Sequence, residues 1–532
     1  MMEINVLSVI RSSVLYAVFG WIYILTLSCS QEEEAVRPPN ILFCISDDQS
    51  FPHASAYGCD WVNTPSFDRV AASGILFTQA YTPNAKCAPS RAILLTGRNS
   101  WQLEEAGNHV PYFPLKYKTY AEVLLDRGYH TGWTGKGWAP GDPGKIDGQP
   151  RHLLGRKYGS ETLTPPTKQI SNNNYAANFK KFLQDRSPDQ PFCFWYGATE
   201  PHRRYSYRSG VEKGGKSLED IDRVFSFWPD TDTVRNDMLD YAFEIEHFDN
   251  HLGQMMAILE EMGELDNTII VVTSDNGMPF PRLKGQSYEY SNHLPLAIMW
   301  PKGIKNPGRR YDKFVSFADI APTFLAVAGI VEPKSGMQPI EGNNLMPVFK
   351  DKKFPDQRNY MVIGKERHDL GRPNDEGYPM RGIRQDSFLY IKNYKTDRWP
   401  AGNPETGYMN CDGSPTKSYI LNLRRRMGSS VYWDLSFGKR GSEELYNVVK
   451  DPECMDNLID NASYETVRNN LYAQMEKELK QEKDPRILGN GDIFDHYPYS
   501  QSATRNFYSR FMNGEDIKAN WINQTDIDTD IE

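Results

Sequence analysis

The stretch Asn40–Gln49, NILFCISDDQ, is a short, unbroken apolar run that closes on two aspartates. Pro38 and Pro39 precede it, so the run has the length of a strand, and apolar residues at successive positions require cover on both faces. PFCFWYGAT (191–199) and TIIVVTSDNG (268–277) have the same character. TYAEVLLDRGYHTGWTGK (119–136) reads as a helix stopped at Gly128 and followed by a strand. DYAFEIEHFDNHLGQMMAILEEMGEL (240–265) has helical periodicity that ends in a turn at Asp266 and Asn267. Buried strands alternating with helices predict an α/β fold, a large mostly parallel sheet flanked by helices.

Chemistry in such sheets gathers at the carboxyl ends of strands. One run here ends in Asp47 and Asp48, another in Asp275 and Asn276. Such residues are common in turns. Brought together from two strand ends they would also make a hard, oxygen-rich site for one divalent cation, Ca²⁺ or Mg²⁺ rather than zinc.

The chain has 532 residues, enough for one large domain or two ordinary ones, and a formal net charge of −9 without long runs of one sign, which gives nucleic acid no footing as the main partner. Aromatic residues make up 12% of it, which suits a saccharide-handling surface and equally a large core. There is no internal repeat and no low-complexity segment.

Near the start, Arg11 precedes VLYAVFGWIYILTL (14–27), which is short for a membrane span and has the length of a secretory apolar region. SCSQEEEAVRPP (28–39) follows. The arrangement resembles a bacterial lipoprotein signal with Cys29 as the lipidated residue, although Thr26 stands where Leu is usual. The expectation is export to the periplasm or cell surface, with residues 1–29 a signal, 30–39 an acidic linker, and a lipid on Cys29 holding the protein to a membrane.

Cys44, Cys59, Cys87, Cys193, Cys411 and Cys454 remain, with no CxxC pair, so a thiolate zinc site is not expected. Cys44 and Cys193 sit inside apolar runs and read as core. Cys87 opens CAPSRAILLTGR (87–98), among polar, basic and proline neighbours. It is either a buried thiol near a helix start or a nucleophile.

CAPSRAILLTGR resembles the signature of the type I, formylglycine-dependent sulfatases of the alkaline-phosphatase-like superfamily. ILFCISDDQ before it, and Gly135–Lys136, Pro201–His202, Ser274–Gly277 and Lys284 after it, stand in family order. The resemblance runs from Asn40 to ELYNVVKDPECMDNL near residue 458, most of the mature chain. It implies that Cys87 is converted to formylglycine by a maturation enzyme that reads Pro89 and Arg91, and that one hydroxyl of the hydrated aldehyde attacks sulfur. It further implies one Ca²⁺ held by Asp47, Asp48, Asp275, Asn276 and the group derived from Cys87, with Arg91 steadying the diol or the aspartates. Lys136 and Lys284 would grip sulfate oxygens, and His202 would give a proton to the leaving group or touch sulfate.

One departure stands out. Many members carry Lys-x-His in the second motif, and here Trp138 is the residue two after Lys136; His130 and His202 are candidate substitutes, although His130 also reads as a helix-exit residue. Arg282 could exchange roles with Lys284. SDNGMPFPRLKG (274–285) and GKERHDLGRPNDEGYPMRGIR (364–384) resemble the sulfamidase-like branch. Arg367 and His368 in the latter could face a carboxylated or sulfated sugar, or be a salt bridge and a solvated histidine.

The catalytic domain is expected at 40–355, and a subdomain with a small antiparallel sheet at 356–485. A terminal extension follows at 486–532, serving as a lid, an oligomer contact or a tail. Three activities fit the resemblance: a carbohydrate sulfatase acting on a polysaccharide such as ulvan or a glycosaminoglycan, an N-sulfoglucosamine sulfohydrolase cleaving a sulfamate, and a phosphonate or phosphate ester hydrolase. A nonenzymatic binding relative is the weaker fourth, because the cysteine and every ligand position are present. A ligand set for a single cation favours sulfate over the more highly charged phosphate.

Overall fold

Asn40–Ser46 is β1, buried at every position as its apolar run requires. The computed structural model describes residues 37–352 and 357–529; the signal-like run and Cys29 lie outside them. Ile75–Tyr81 forms β2, His130–Gly135 β3, Phe192–Gly197 β4, Thr268–Ser274 β5 and His293–Met299 β6. With short strands at Arg309–Tyr311, Val315–Ser316 and Arg156–Lys157 they make a nine-stranded sheet, and β1 sits at its centre between β5 and β4. Both neighbours run parallel to β1, with Phe43 opposite Val271 and Trp195.

The sheet is mostly parallel, with one reversal. β6 runs antiparallel to both β5 and β2. The connection from β5 to β6 holds a single four-residue helix, Glu289–Asn292. That is too little to cross the sheet, so the chain re-enters at the end it left.

Alternation along β1 splits the core into two layers. Ile41, Phe43 and Ile45 face one apolar layer, Leu42 and Cys44 the other. Helices α1 (Pro65–Ala72), α2 (Cys87–Thr96), α3 (Tyr120–Asp126), α4 (Tyr175–Gln184), α5 (Asp232–Glu261) and α6 (Ile320–Val327) cover the two faces. α2, α3 and α6 contribute to the first layer, α1, α4 and α5 to the second. Phe43 lies 4.7 Å from Trp195 and 6.0 Å from Phe324 between ring centres; each such buried side chain contributes about 1.5–3 kcal/mol. α3 starts at a reciprocal cap between Thr119 and Glu122 and ends just before Gly128, whose φ of 87° only glycine adopts freely.

The second sheet is antiparallel, in chain order β7 (Tyr360–Lys365), β8 (Met380–Gln385), β9 (Phe388–Asn393) and β10 (Glu443–Asn447). α7 (Glu465–Gln481) packs against it through Leu471, Met475 and Leu479. From Tyr499 onward the chain folds back: Tyr499, Phe507, Ile517 and Ala519 join Val110, Leu370 and Met409 in one apolar cluster. Residues from Pro39 onward form one compact unit. Among the described residues no helix is long and apolar enough to cross a membrane, and the six described cysteines are free and buried.

Candidate active site

Strand register builds the site. Ser46 of β1 stands opposite Ser274 of β5, so Asp47–Asp48 and Asp275–Asn276 leave the sheet side by side. Asp48 adopts a φ of 76°, uncommon for a residue with a side chain. Its N–H donates to Asp275 Oδ1 at 3.1 Å, and Asn276 Nδ2 donates to Asp48 Oδ1 at 2.6 Å.

Cys87 is the first residue of α2, with Sγ 3.4 Å from Asp47 Oδ1 and 3.9 Å from Asp48 Oδ1. Arg91 follows one helical turn later, on the same face. Its Nε donates to Asp275 Oδ2 at 2.8 Å, and Nη1 donates to the carbonyls of Lys136 and Gly137 at 2.8 and 2.9 Å. The four-residue spacing in CAPSR thus lets one helix face present the thiol and clamp two strand ends. Lys136, just past β3, places Nζ 2.6 Å from Asp47 Oδ2. Lys284 Nζ lies 2.5 Å from Asp48 and 2.8 Å from Asp412. His202 Nδ1 donates to the Arg203 carbonyl at 2.7 Å, and Nε2 comes within 3.8 Å of Asp48 Oδ2.

The electrostatics follow from burial and pairing. Burial opposes ionisation of Asp47, yet the Lys136 ammonium holds its carboxyl well below the usual range. Asp275 is pushed up by burial and by Asp47. The Cys87 thiol is held well above its usual range by burial and then by Asp47, the reverse of the electropositive setting that activates a thiolate. Lys284 is held protonated by Asp412 and Asp48 against its burial.

The donor set fits a hard divalent cation. Ligand atoms of Asp47, Asp48, Asp275 and Cys87 lie within 4.8 Å of one another, and Asn276 Oδ1 is buried there with no hydrogen-bond partner. Carboxylate and amide oxygens suit Ca²⁺ or Mg²⁺. Asp48, His202 and Asp412 form a second such group, but the Lys284 ammonium already touches both of its carboxylates.

A cavity of about 340 Å³ opens onto Cys87, Lys136, His202 and Lys284. Sequence reasoning missed four residues that also line it: Lys86, His109, Asp369 and Asp412. Lys86 and Asp369 adjoin Cys87 and His368, which were singled out; His109 and Asp412 lie in loops without periodicity. Tyr499, Gln501 and Trp521 of the terminal extension line the cavity as well, and the Trp521 indole donates to the Met409 carbonyl at 2.8 Å.

Other candidates lie elsewhere. Arg367 and His368 are buried behind the lining: Arg367 Nη1 donates to the Tyr497 carbonyl at 2.6 Å, and His368 Nε2 lies 2.8 Å from Asn84 Oδ1. Arg282 stacks on Tyr288 and donates to the Leu435 and Cys454 carbonyls. His130, at the far end of β3 from Lys136, stacks on Phe182. Trp138 donates to the Ala88 carbonyl at 3.1 Å and packs edge-on against Phe113.

Comparison with known proteins identifies the family. The model of the Sulfatase family covers residues 39–330, and that of the N-sulphoglucosamine sulphohydrolase C-terminal region covers 283–400. An ulvan-active sulfatase of Formosa agariphila is 27% identical over 84% of this chain and 81% of its own. Homo sapiens N-sulphoglucosamine sulphohydrolase is 26% identical over 86% of this chain and 93% of its own. The solved structure of BT4656 in complex with its substrate D-glucosamine-2-N,6-O-disulfate shares the fold, with a TM-score of 0.61 and 22% identity over 84% of this chain and 98% of its own.

Proposed function

The chain belongs to the sulfatase family, and on that premise we propose that it releases sulfate from ester groups of a sulfated poly- or oligosaccharide, using a formylglycine made from Cys87. The observation that carries this reading is the Cys87 side chain, 3.4 Å from Asp47 at the head of a buried helix, with two lysines on the same carboxylate cluster. Saccharide substrates are supported by the relatives, one of them ulvan-active.

Asp47, Asp48, Asp275 and Asn276, with the group derived from Cys87, would hold one Ca²⁺, which supplies positive charge to a transferring sulfuryl group. Formylglycine supplies, as its hydrate, one hydroxyl that attacks sulfur and a second whose deprotonation expels sulfate. Arg91 fixes Asp275 and the end of β3. Lys136 and Lys284 grip sulfate oxygens as point charges. His202, its Nδ1–H held by the Arg203 carbonyl, presents Nε2 to the site, and in its doubly protonated form it would give the Nε2 proton to the leaving sugar oxygen.

The reading keeps the division into a catalytic domain at 40–355, a subdomain at 356–485 and an extension at 486–532. It also keeps export, attachment through a lipid on Cys29, and a separate maturation enzyme as partner. A second reading, cleavage of a sulfamate, draws support from the match of residues 283–400 to the sulphohydrolase C-terminal region. Ion chromatography of the anion released from O-sulfated ulvan and N-sulfated heparan oligosaccharides, with Cys87 conversion confirmed by peptide mass, separates the two. Sulfate from the first substrate alone supports the ester reading, and sulfate from the second alone replaces it with the sulfamidase. Phosphate released from phosphate esters, with no sulfate from either substrate, overturns both.

A further inference from the structure

The imidazole absent at position 138 has a counterpart in the cavity from an unrelated loop. His109 is 7% exposed, lines the cavity beside Cys87, and places Nδ1 2.8 Å from Asp369 Oδ1. Asp369 is itself buried and lies 2.6 Å from the Lys86 ammonium. Because the carboxylate can only accept, the Asp369 contact sets the tautomer: Nδ1 carries the proton and Nε2 is a bare lone pair. That Nε2 is buried and meets no hydrogen-bond partner in the protein. An orphaned acceptor in a ligand cavity is costly unless a ligand satisfies it.

The placement of His109 is over-determined. Its N–H donates to the Arg367 carbonyl at 3.0 Å, and Arg367 N–H donates to Asn108 Oδ1 at 3.1 Å, so residues 108–109 and 367–369 hold each other. The next residue, Val110, adopts a φ of 52°, rare for a β-branched side chain, and its carbonyl accepts from Ser500 N–H at 2.8 Å.

We infer that His109, oriented by Asp369, determines specificity by accepting a hydrogen bond from a hydroxyl of the sugar that carries the sulfate, an inference that rests on the saccharide-sulfatase reading above. Burial, opposed by Asp369, pushes the imidazole down to about 4, so it is neutral at pH 7 and offers no positive charge to an anion. A second sulfate or a carboxylate at this place would face a lone pair and the Asp369 carboxylate, while Lys86 is already engaged by Asp369. The position therefore takes a hydroxyl and disfavours a sugar sulfated or oxidised there.

The test is steady-state kinetics of matured wild type, His109→Ala and His109→Gln on three substrates: a sulfated saccharide that the wild type hydrolyses, its deoxy analogues at each hydroxyl flanking the sulfate, and a small aryl sulfate. His109→Ala is expected to lower kcat/KM for the saccharide by roughly 10- to 100-fold, mainly through KM. His109→Gln, which keeps an acceptor oxygen, should recover part of that loss, and the aryl sulfate should change by less than about threefold. One deoxy analogue should cost the wild type a similar factor and cost His109→Ala nothing further. Equal losses on saccharide and aryl sulfate, no loss on the saccharide, or independent losses from variant and deoxy analogue each overturn the inference. Wild type that releases sulfate from the aryl ester and from no saccharide overturns the underlying reading, and the inference with it.

Discussion

Arg91 Nε meets Asp275 Oδ2 at 2.8 Å with neither side chain exposed. This contact joins the helix that begins with Cys87 to the end of β5, and it fixes the position of Cys87 relative to the carboxylates. Removing one member of a buried pair strands the other, at a cost of about 3–5 kcal/mol.

Asp275→Ala is therefore expected to lose the bound cation and turnover together, and to lower thermal stability. Metal content by mass spectrometry, sulfate release and a melting curve check it. Retained metal and rate would remove Asp275 from the site.

Cys87→Ala and Cys87→Ser are expected to abolish sulfate release while leaving the melting temperature close to wild type, because Ala trims one buried sulfur atom, Ser keeps the side-chain size, and neither removes an ion pair. Full activity in either variant would end the formylglycine mechanism.

Lys136→Ala and Lys284→Ala are each expected to reduce kcat by about 10²–10³-fold, the usual effect of removing one electrostatic contact from a developing anion. Lys284→Ala should also destabilise the fold more, since Asp48 and Asp412 both lose their counter-ion. Kinetics and melting of the two variants side by side test the ranking.

Chelation followed by dialysis is expected to remove activity, and added Ca²⁺ to restore it, with Zn²⁺ less effective because the ligand atoms are mainly hard oxygens. Restoration by Zn²⁺ alone would contradict the donor-set reading.

Acid should weaken the fold through His53. Burial lowers its imidazole from 6.5 to about 3, and Nδ1 accepts from the Tyr241 hydroxyl at 3.1 Å. Below pH 6.5 the unfolded chain takes up a proton that the folded chain refuses, so stability falls as pH falls, by about 2 kcal/mol between pH 6.5 and 5. In His53→Asn this contribution is gone. The stability gap between wild type and variant, measured by urea unfolding, should narrow by that amount from pH 7 to pH 5.

The legible parts of the fold were those where periodicity and burial agree. NILFCIS and TIIVVTS read as strands covered on both faces, and in a mostly parallel sheet their trailing Asp and Asn residues could meet at one sheet end. The reversal of β6 was not legible, because HLPLAIM is equally apolar in either direction and the turn-back depends on a connection that holds site residues instead of a crossover helix. Resemblance to the sulfamidase-like branch favours Lys284 over Arg282, and the structure separates the two: Arg282 has a φ of 71° and donates to backbone carbonyls behind the site. His109 and Asp369 were missed for a physical reason. They meet across 260 positions of sequence in loops whose conformations are set by tertiary contacts; Asp369 adjoins His368 in a stretch already singled out, but nothing beside His109 marks it as its partner.

The terminal extension completes the cavity wall with Tyr499, Gln501 and Trp521, and this sets a clock on biosynthesis. Cys87 is 2% exposed in the folded protein. Residues 499–521 are made on the order of tens of seconds after Cys87 at ordinary rates of synthesis. Until they arrive the pocket lacks that wall. On the formylglycine reading proposed above, modification of Cys87 would belong to the interval between synthesis of its helix and closure of the fold, and a chain that folded before it was modified would be sealed in an inactive form.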